Sequence, residues 1–182
     1  MKFGLLTETR FFADHYQFYV RDTAVKALDA LMSDFPMVGV RQGVDETGPF
    51  QFFMFGTFAD LNAHWLRLVV SETAPAVEDY EFVACVQFRM KSNELAIDSI
   101  DPEPALTVSL PKGDYSLYVC AKNVGADPND DAFELPDDEF KKLPCESYDL
   151  IFVPSAAESY GVLRQPDPDA LEAARFRSLE SD

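Results

Sequence analysis

The side chains able to do chemistry are few and scattered, and the densest set of them is a run of carboxylates. His15 and His64 each lie in an apolar or aromatic stretch, a setting that favours a packed or surface ring over a general base. Cys85, Cys120 and Cys145 are an odd, widely spaced set that fits neither a disulfide framework nor zinc-site spacing. Cys85 and Cys120 fall inside apolar strand patterns, where a thiol is ordinarily inert. No Gly-x-Ser-x-Gly elbow, phosphate loop or dinucleotide fingerprint occurs, and eight glycines leave little material for cradling phosphates. Asp127, Asn129 and Asp131 take positions 1, 3 and 5 of an EF-hand-like register, with Asp138 at position 12. Ala132 stands where that loop needs glycine, and Pro136 interrupts its second half. An enzyme would need titratable groups converging in a cleft. The chain is read as non-catalytic, with no metal and no cofactor.

The carboxylate run lies between Ala126 and Phe140 and holds Asp127, Asp130, Asp131, Glu134, Asp137, Asp138 and Glu139, with no basic residue among them. A solvated connection between two strands accounts for such a run at its plainest. Two features point further. Phe133, Leu135 and Phe140 are interleaved with the acids, and Lys141-Lys142 ends the run abruptly. Apolar anchors ringed by carboxylates suit docking on a basic partner: the anchors supply desolvated contact and the acids steer the approach. The expected contact set is the seven acids together with Phe133.

Composition supports a binding role over several others. Fifteen Lys and Arg stand against 32 Asp and Glu, a net charge of −17, which disfavours direct contact with nucleic acid or an anionic membrane. Apolar residues make up 47%, so the acidity belongs to the surface of a folded protein with a substantial core. The start, Met1 to Glu8, lacks a signal-peptide apolar run, and no stretch approaches the roughly 20 apolar residues that span a bilayer. A soluble cytoplasmic protein is the simplest expectation.

The elements that position these groups follow period two. Tyr80, Phe82, Ala84, Val86, Phe88 and Met90 share one face, and the alternation returns at Leu95 and Ile97, at Leu106, Val108 and Leu110, and from Tyr115 to Ala121. Lys91-Ser92-Asn93-Glu94, Asp101-Pro102-Glu103-Pro104 and Pro111-Lys112-Gly113-Asp114 supply turn chemistry between them. Phe12, Tyr16, Phe18 and Val20 are predicted to line a first strand, Phe50 to Phe58 and Trp65 to Val70 two more, and Ser147 to Val153 a late one. Helices are predicted after Asp22 or Thr23, stopped by Pro36, and in the tail from Asp167. The expected fold is mainly β, an antiparallel β-sandwich with one or two peripheral helices. Residues 1–182 are read as a single domain, with 155–182 a peripheral C-terminal extension.

Two stretches resemble a known family. Tyr16-Gln17-Phe18-Tyr19-Val20 resembles the opening strand of the competence protein J family of bacterial nuclease inhibitors. Leu110-Pro111-Lys112-Gly113-Asp114-Tyr115-Ser116-Leu117 resembles that family's turn between two later strands. The resemblance implies a β-sandwich that binds and blocks a nuclease, over residues 11 to 153 in outline. The segment from Asn123 to Glu146 is expanded beyond the family norm, and the tail after Pro154 has no counterpart. Charge and resemblance converge on an acidic, immunity-type inhibitor that occludes the basic active site of a nuclease. The alternative is a ligand-binding or interaction module in which the aromatic strands Phe50 to Phe58 and the Trp65 region line a pocket. The oligomeric state stays open, because an exposed strand edge can pair with itself.

Overall fold

Alternation at period two decides which side of each strand meets the core, and the chain keeps that phase with few interruptions. The computed structural model describes residues 3–13, 17–25, 37–38, 52–59, 63–98, 106–126 and 134–169. Within them run β1 (Gly4–Phe12), β2 (Gln17–Asp22), β3 (Met37–Val38), β4 (Phe52–Gly56), β5 (Ala63–Val70) and β6 (Phe82–Met90). They are followed by β7 (Glu94–Asp98), β8 (Leu106–Ser109), β9 (Gly113–Lys122), β10 (Ser147–Val153) and β11 (Gly161–Arg164). These form a larger sheet, β1-β5-β10-β9-β6-β11, and a smaller one, β3-β4-β2-β7-β8. Most neighbours are antiparallel, but β10 runs parallel to β5 and β3 parallel to β4. The fold is mainly β, as the alternation implied.

One apolar cluster takes residues from both sheets and fills the space between them. Phe18 of β2 meets Tyr148 of β10 with ring centroids 5.3 Å apart, and Phe53 of β4 meets Phe88 of β6 at 6.1 Å. Phe18, Phe53, Phe55, Phe88 and Phe152 are among the largest fully buried side chains. Each such ring contributes on the order of 2–3 kcal/mol by leaving water. The set Phe82, Ala84, Val86, Phe88 and Met90 lies wholly in this cluster, as do Tyr115, Leu117, Val119 and Ala121.

Several expectations need correction. The predicted first strand from Phe12 to Val20 is two strands, and β1 begins at Gly4, where mixed polarity hid it. Within the stretch after Pro154, β11 pairs antiparallel with β6 and forms an edge of the larger sheet. The helix predicted between Thr23 and Pro36 and most of the tail helix lie outside the described residues. Among the described residues the helical elements with defined bounds are a 3-10 turn at Val77–Asp79 and one four-residue turn, α1, at Asp137–Phe140. Among the same residues, no helix is long and apolar enough to cross a membrane.

Candidate functional site

The outward faces of β1, β5, β10 and β9 carry the polar phase of their strands, and register aligns those side chains in rows. One row contains Lys122, Ser147, Trp65 and Arg10; the next contains Cys120, Asp149, Arg67 and Glu8. The segment between β9 and β10 folds back onto the β1–β5 end of this surface. Pro136 precedes α1, and Phe140 closes that turn with no exposed surface. Phe140 packs with buried Cys145 and with Trp65, Leu135 and Leu143, forming a small core on the outside of the sheet. Its ring lies 6.4 Å from that of Trp65, and the Arg10 guanidinium sits 4.7 Å from its centroid.

Charge fixes the same contact. Arg10 donates from Nε (3.0 Å) and Nη2 (2.6 Å) to the Asp137 carboxylate, and from Nη2 to the Leu135 carbonyl (2.7 Å). Lys141 pairs with Glu8, which also accepts from the Trp65 indole N–H at 2.6 Å. Lys141 first and the indole second hold the Glu8 carboxyl below its ordinary range, against a smaller effect of burial. Arg10, Glu8 and Trp65 therefore form a seat on which α1 is mounted.

This places the sequence-derived contact residues as follows. Glu134, Asp138 and Glu139 are exposed, with no ion-pair partner among the described residues; Asp137 is exposed but paired with Arg10. Asp127, Asp130, Asp131 and Phe133 lie outside the described residues, as does most of the EF-hand-like register. Phe140, expected as one of the interleaved anchors, is fully buried and half-buried Leu135 packs beside it, so these two side chains hold the segment to its own sheet.

Beside the seat lies an open groove of about 370 Å³, bordered by Trp65, Arg67, Lys122, Lys141, Glu8 and Asp149 among others. Its carboxylates are engaged: Asp149 accepts from the Tyr80 hydroxyl at 2.8 Å and from Arg67 at 3.4 Å. Phe53 and Phe55 of β4 do not border it, whereas Trp65 of β5 does. Phe53, Phe55 and Phe58 are buried in the inter-sheet core. His15 lies outside the described residues.

A second cluster lies at the base of the segment, facing inward. Glu146, fully buried, accepts from the backbone N–H of Gly125 (2.7 Å), Phe58 (3.0 Å) and Ala59 (3.0 Å), and from the Tyr148 hydroxyl. Burial pushes its carboxyl up to about 7 despite these four donors. His64 Nδ1 lies 3.8 Å from Glu146 Oε1, and neither ring nitrogen has a hydrogen-bond partner among the described residues. Burial lowers the imidazole to about 4, so the ring is neutral at physiological pH. Sequence reasoning passed over Glu146, though a signal was present: it shares the inward phase of Tyr148, Leu150 and Phe152. Among the described residues no group of three or more His, Cys, Asp and Glu side chains gathers as a metal site would require.

No family model matches the chain, and no curated protein matches it in sequence. Two solved structures are similar in fold. One is the crystal structure of ComJ from Bacillus subtilis, inhibitor of the DNA-degrading activity of NucA. It has a TM-score of 0.55 at 17% identity, over 85% of this chain and 100% of that one. The other is described as Crocagin biosynthetic gene J, with a TM-score of 0.54 at 13% identity, over 86% of this chain and 100% of that one. At these identities the likeness establishes the fold, and that fold is the one the two competence-protein-J-like stretches implied.

Proposed function

We propose that this chain is an acidic inhibitor that binds a basic nuclease and occludes its active site. The seven acids from Asp127 to Glu139 serve as electrostatic contacts, and Phe133 serves as an anchor. The protein works by binding, as a single cytoplasmic domain, without catalysing a reaction. The observation that carries this reading is that Glu134, Asp138 and Glu139 are held at the surface without ion-pair partners among the described residues. They stand on a mount made by Phe140, Arg10 and Trp65. Carboxylates fixed in this way cost little further ordering on binding and can sit where a nuclease expects phosphates. The fold shared with ComJ, itself an inhibitor of a DNA-degrading activity, supports the same reading. With net charge −17, the surface field attracts a basic partner and repels DNA.

DNA degradation by NucA and by a panel of other basic nucleases tests the proposal, with and without the chain and across ionic strength. Inhibition is expected at low salt, weakening as the Debye length falls to about 10 Å at 0.1 M and below. Absence of both binding and inhibition for every nuclease at low salt refutes it.

A further inference from the structure

The acidic segment is tied down at its base as well as at α1, and the tie passes through one buried side chain. The Glu146 backbone N–H donates to the Ala126 carbonyl (3.1 Å), so the residues on either side of 127–145 are joined directly. Its carboxylate then accepts from Gly125 on the incoming side and from Phe58 and Ala59 in the turn after β4. Gly125 has φ +78°, a conformation that suits glycine and aims its N–H at Oε2. The Trp65 N–H donates to the Glu146 carbonyl at 3.2 Å, linking the same residue to the seat of α1.

We propose that Glu146 is the positioning residue of the acidic segment, its buried carboxylate locking the segment's base to the 57–59 turn and so fixing how the exposed acids meet a partner. The presentation role rests on reading the segment as a contact surface; the lock itself does not. A buried carboxylate is far costlier to leave than an amide, so four convergent donors mark a built device rather than an incidental contact. The titratable groups facing it are His64 from β5, Tyr148 from β10 and Cys145 beside it in the chain, and no Lys or Arg among the described residues pairs with it.

Hydrogen–deuterium exchange on the full chain tests the lock, comparing wild type with Glu146→Ala and Glu146→Gln. Glu146→Ala is expected to speed exchange at Phe58, Ala59 and Gly125 by about tenfold or more, with the interiors of β6 and β9 unchanged. Glu146→Gln can keep an oxygen facing Ala59 and Gly125 while its nitrogen takes the Oε1 place, so only Phe58 should loosen. If Glu146→Ala does not fold, this selective loosening in the Gln variant decides the matter. Against a nuclease that wild type inhibits, Glu146→Ala should dissociate about tenfold faster with little change in association, and Glu146→Gln should behave as wild type. Unchanged exchange at Gly125 in the Ala variant, or uniform loosening in the Gln variant, overturns the lock. An opened base with unchanged dissociation overturns its role in presentation. A wild type that binds no nuclease refutes the proposed function and the presentation role together, while the lock is still judged by exchange.

Discussion

Replacing Phe140 with alanine removes the apolar half of the attachment that holds α1 to the sheet. The ring is fully buried, so its loss falls in the range for a core aromatic, about 3–5 kcal/mol. Trp65, Leu135 and Leu143 around it are only partly buried, which lets the neighbours relax and water enter. That places the expected loss near the lower end, about 3 kcal/mol, including the contact with the Arg10 guanidinium. The chain has one tryptophan, and it forms the floor of this small core. Its fluorescence therefore reports the site directly. Phe140→Ala should shift Trp65 emission to longer wavelength and raise its acrylamide quenching, while urea unfolding records the stability loss. The expected local signature is a change in Trp65 well before the main transition. Unchanged emission and quenching, with a stability loss under about 1 kcal/mol, would refute the mount.

Three further outcomes follow from the same geometry. Reversing Asp138 and Glu139 to lysine should leave stability within about 0.5 kcal/mol and slow association with a basic nuclease about tenfold at low salt, which stopped-flow mixing reads; equal association rates remove the segment from the mechanism. For pH, burial raises Glu146 from 4.5 to about 7, so its contribution to stability is complete below 4.5 and is lost as pH rises through 7. Burial lowers His64 from 6.5 to about 4, so its contribution is complete above 6.5 and is lost as pH falls through 4. Across 4.5–6.5 the two offset each other, so urea midpoints should stay nearly level there in wild type but rise with pH in Glu146→Gln, which keeps only the His64 contribution; a level profile in the variant contradicts the assignment. Burial pushes the Cys85 thiol up to about 12 and also raises Cys120 and Cys145, so native protein should react negligibly with a thiol reagent and expose three thiols on unfolding; rapid labelling of the folded chain counts against this.

The inward faces were legible because period two survives where one side of a strand is dry and the other wet. It placed alternate residues from Phe82 to Met90, Tyr115 to Ala121 and Tyr148 to Phe152 correctly in the inter-sheet core, but Tyr80, assigned to the same face as Phe82, packs on the opposite side of the sheet. It failed at β1, an edge strand whose residues Leu5, Thr7 and Thr9 give a weak apolar contrast and whose pairing slips between Leu5 and Thr7. It failed again at β11, four residues long and joined to the sheet through β6 alone. Charge counting found the acidic segment but could not show which acids were already paired. Arg10 lies 127 positions from Asp137, and nothing local announces that contact. Phe140 and Leu135 were visible within the run, yet their direction was misjudged, because a phenylalanine among carboxylates reads the same whether it faces a partner or its own sheet. Glu146 carried the opposite problem: its inward phase was plain, but an acid just ahead of a strand suggests solvent until the four donors are known.

The placement of β10 bears on how the chain comes together during synthesis. Its neighbours are β5 on one side and β9 on the other, so the β1–β5 ribbon and the β9–β6 ribbon share no ladder until residues 147–153 slot between them. Before that moment each ribbon has an open edge that another chain could zip onto. A chain cut just short of Ser147 would thus hold two unfinished halves, with the carboxylate-rich stretch at its end helping to keep them soluble by mutual repulsion.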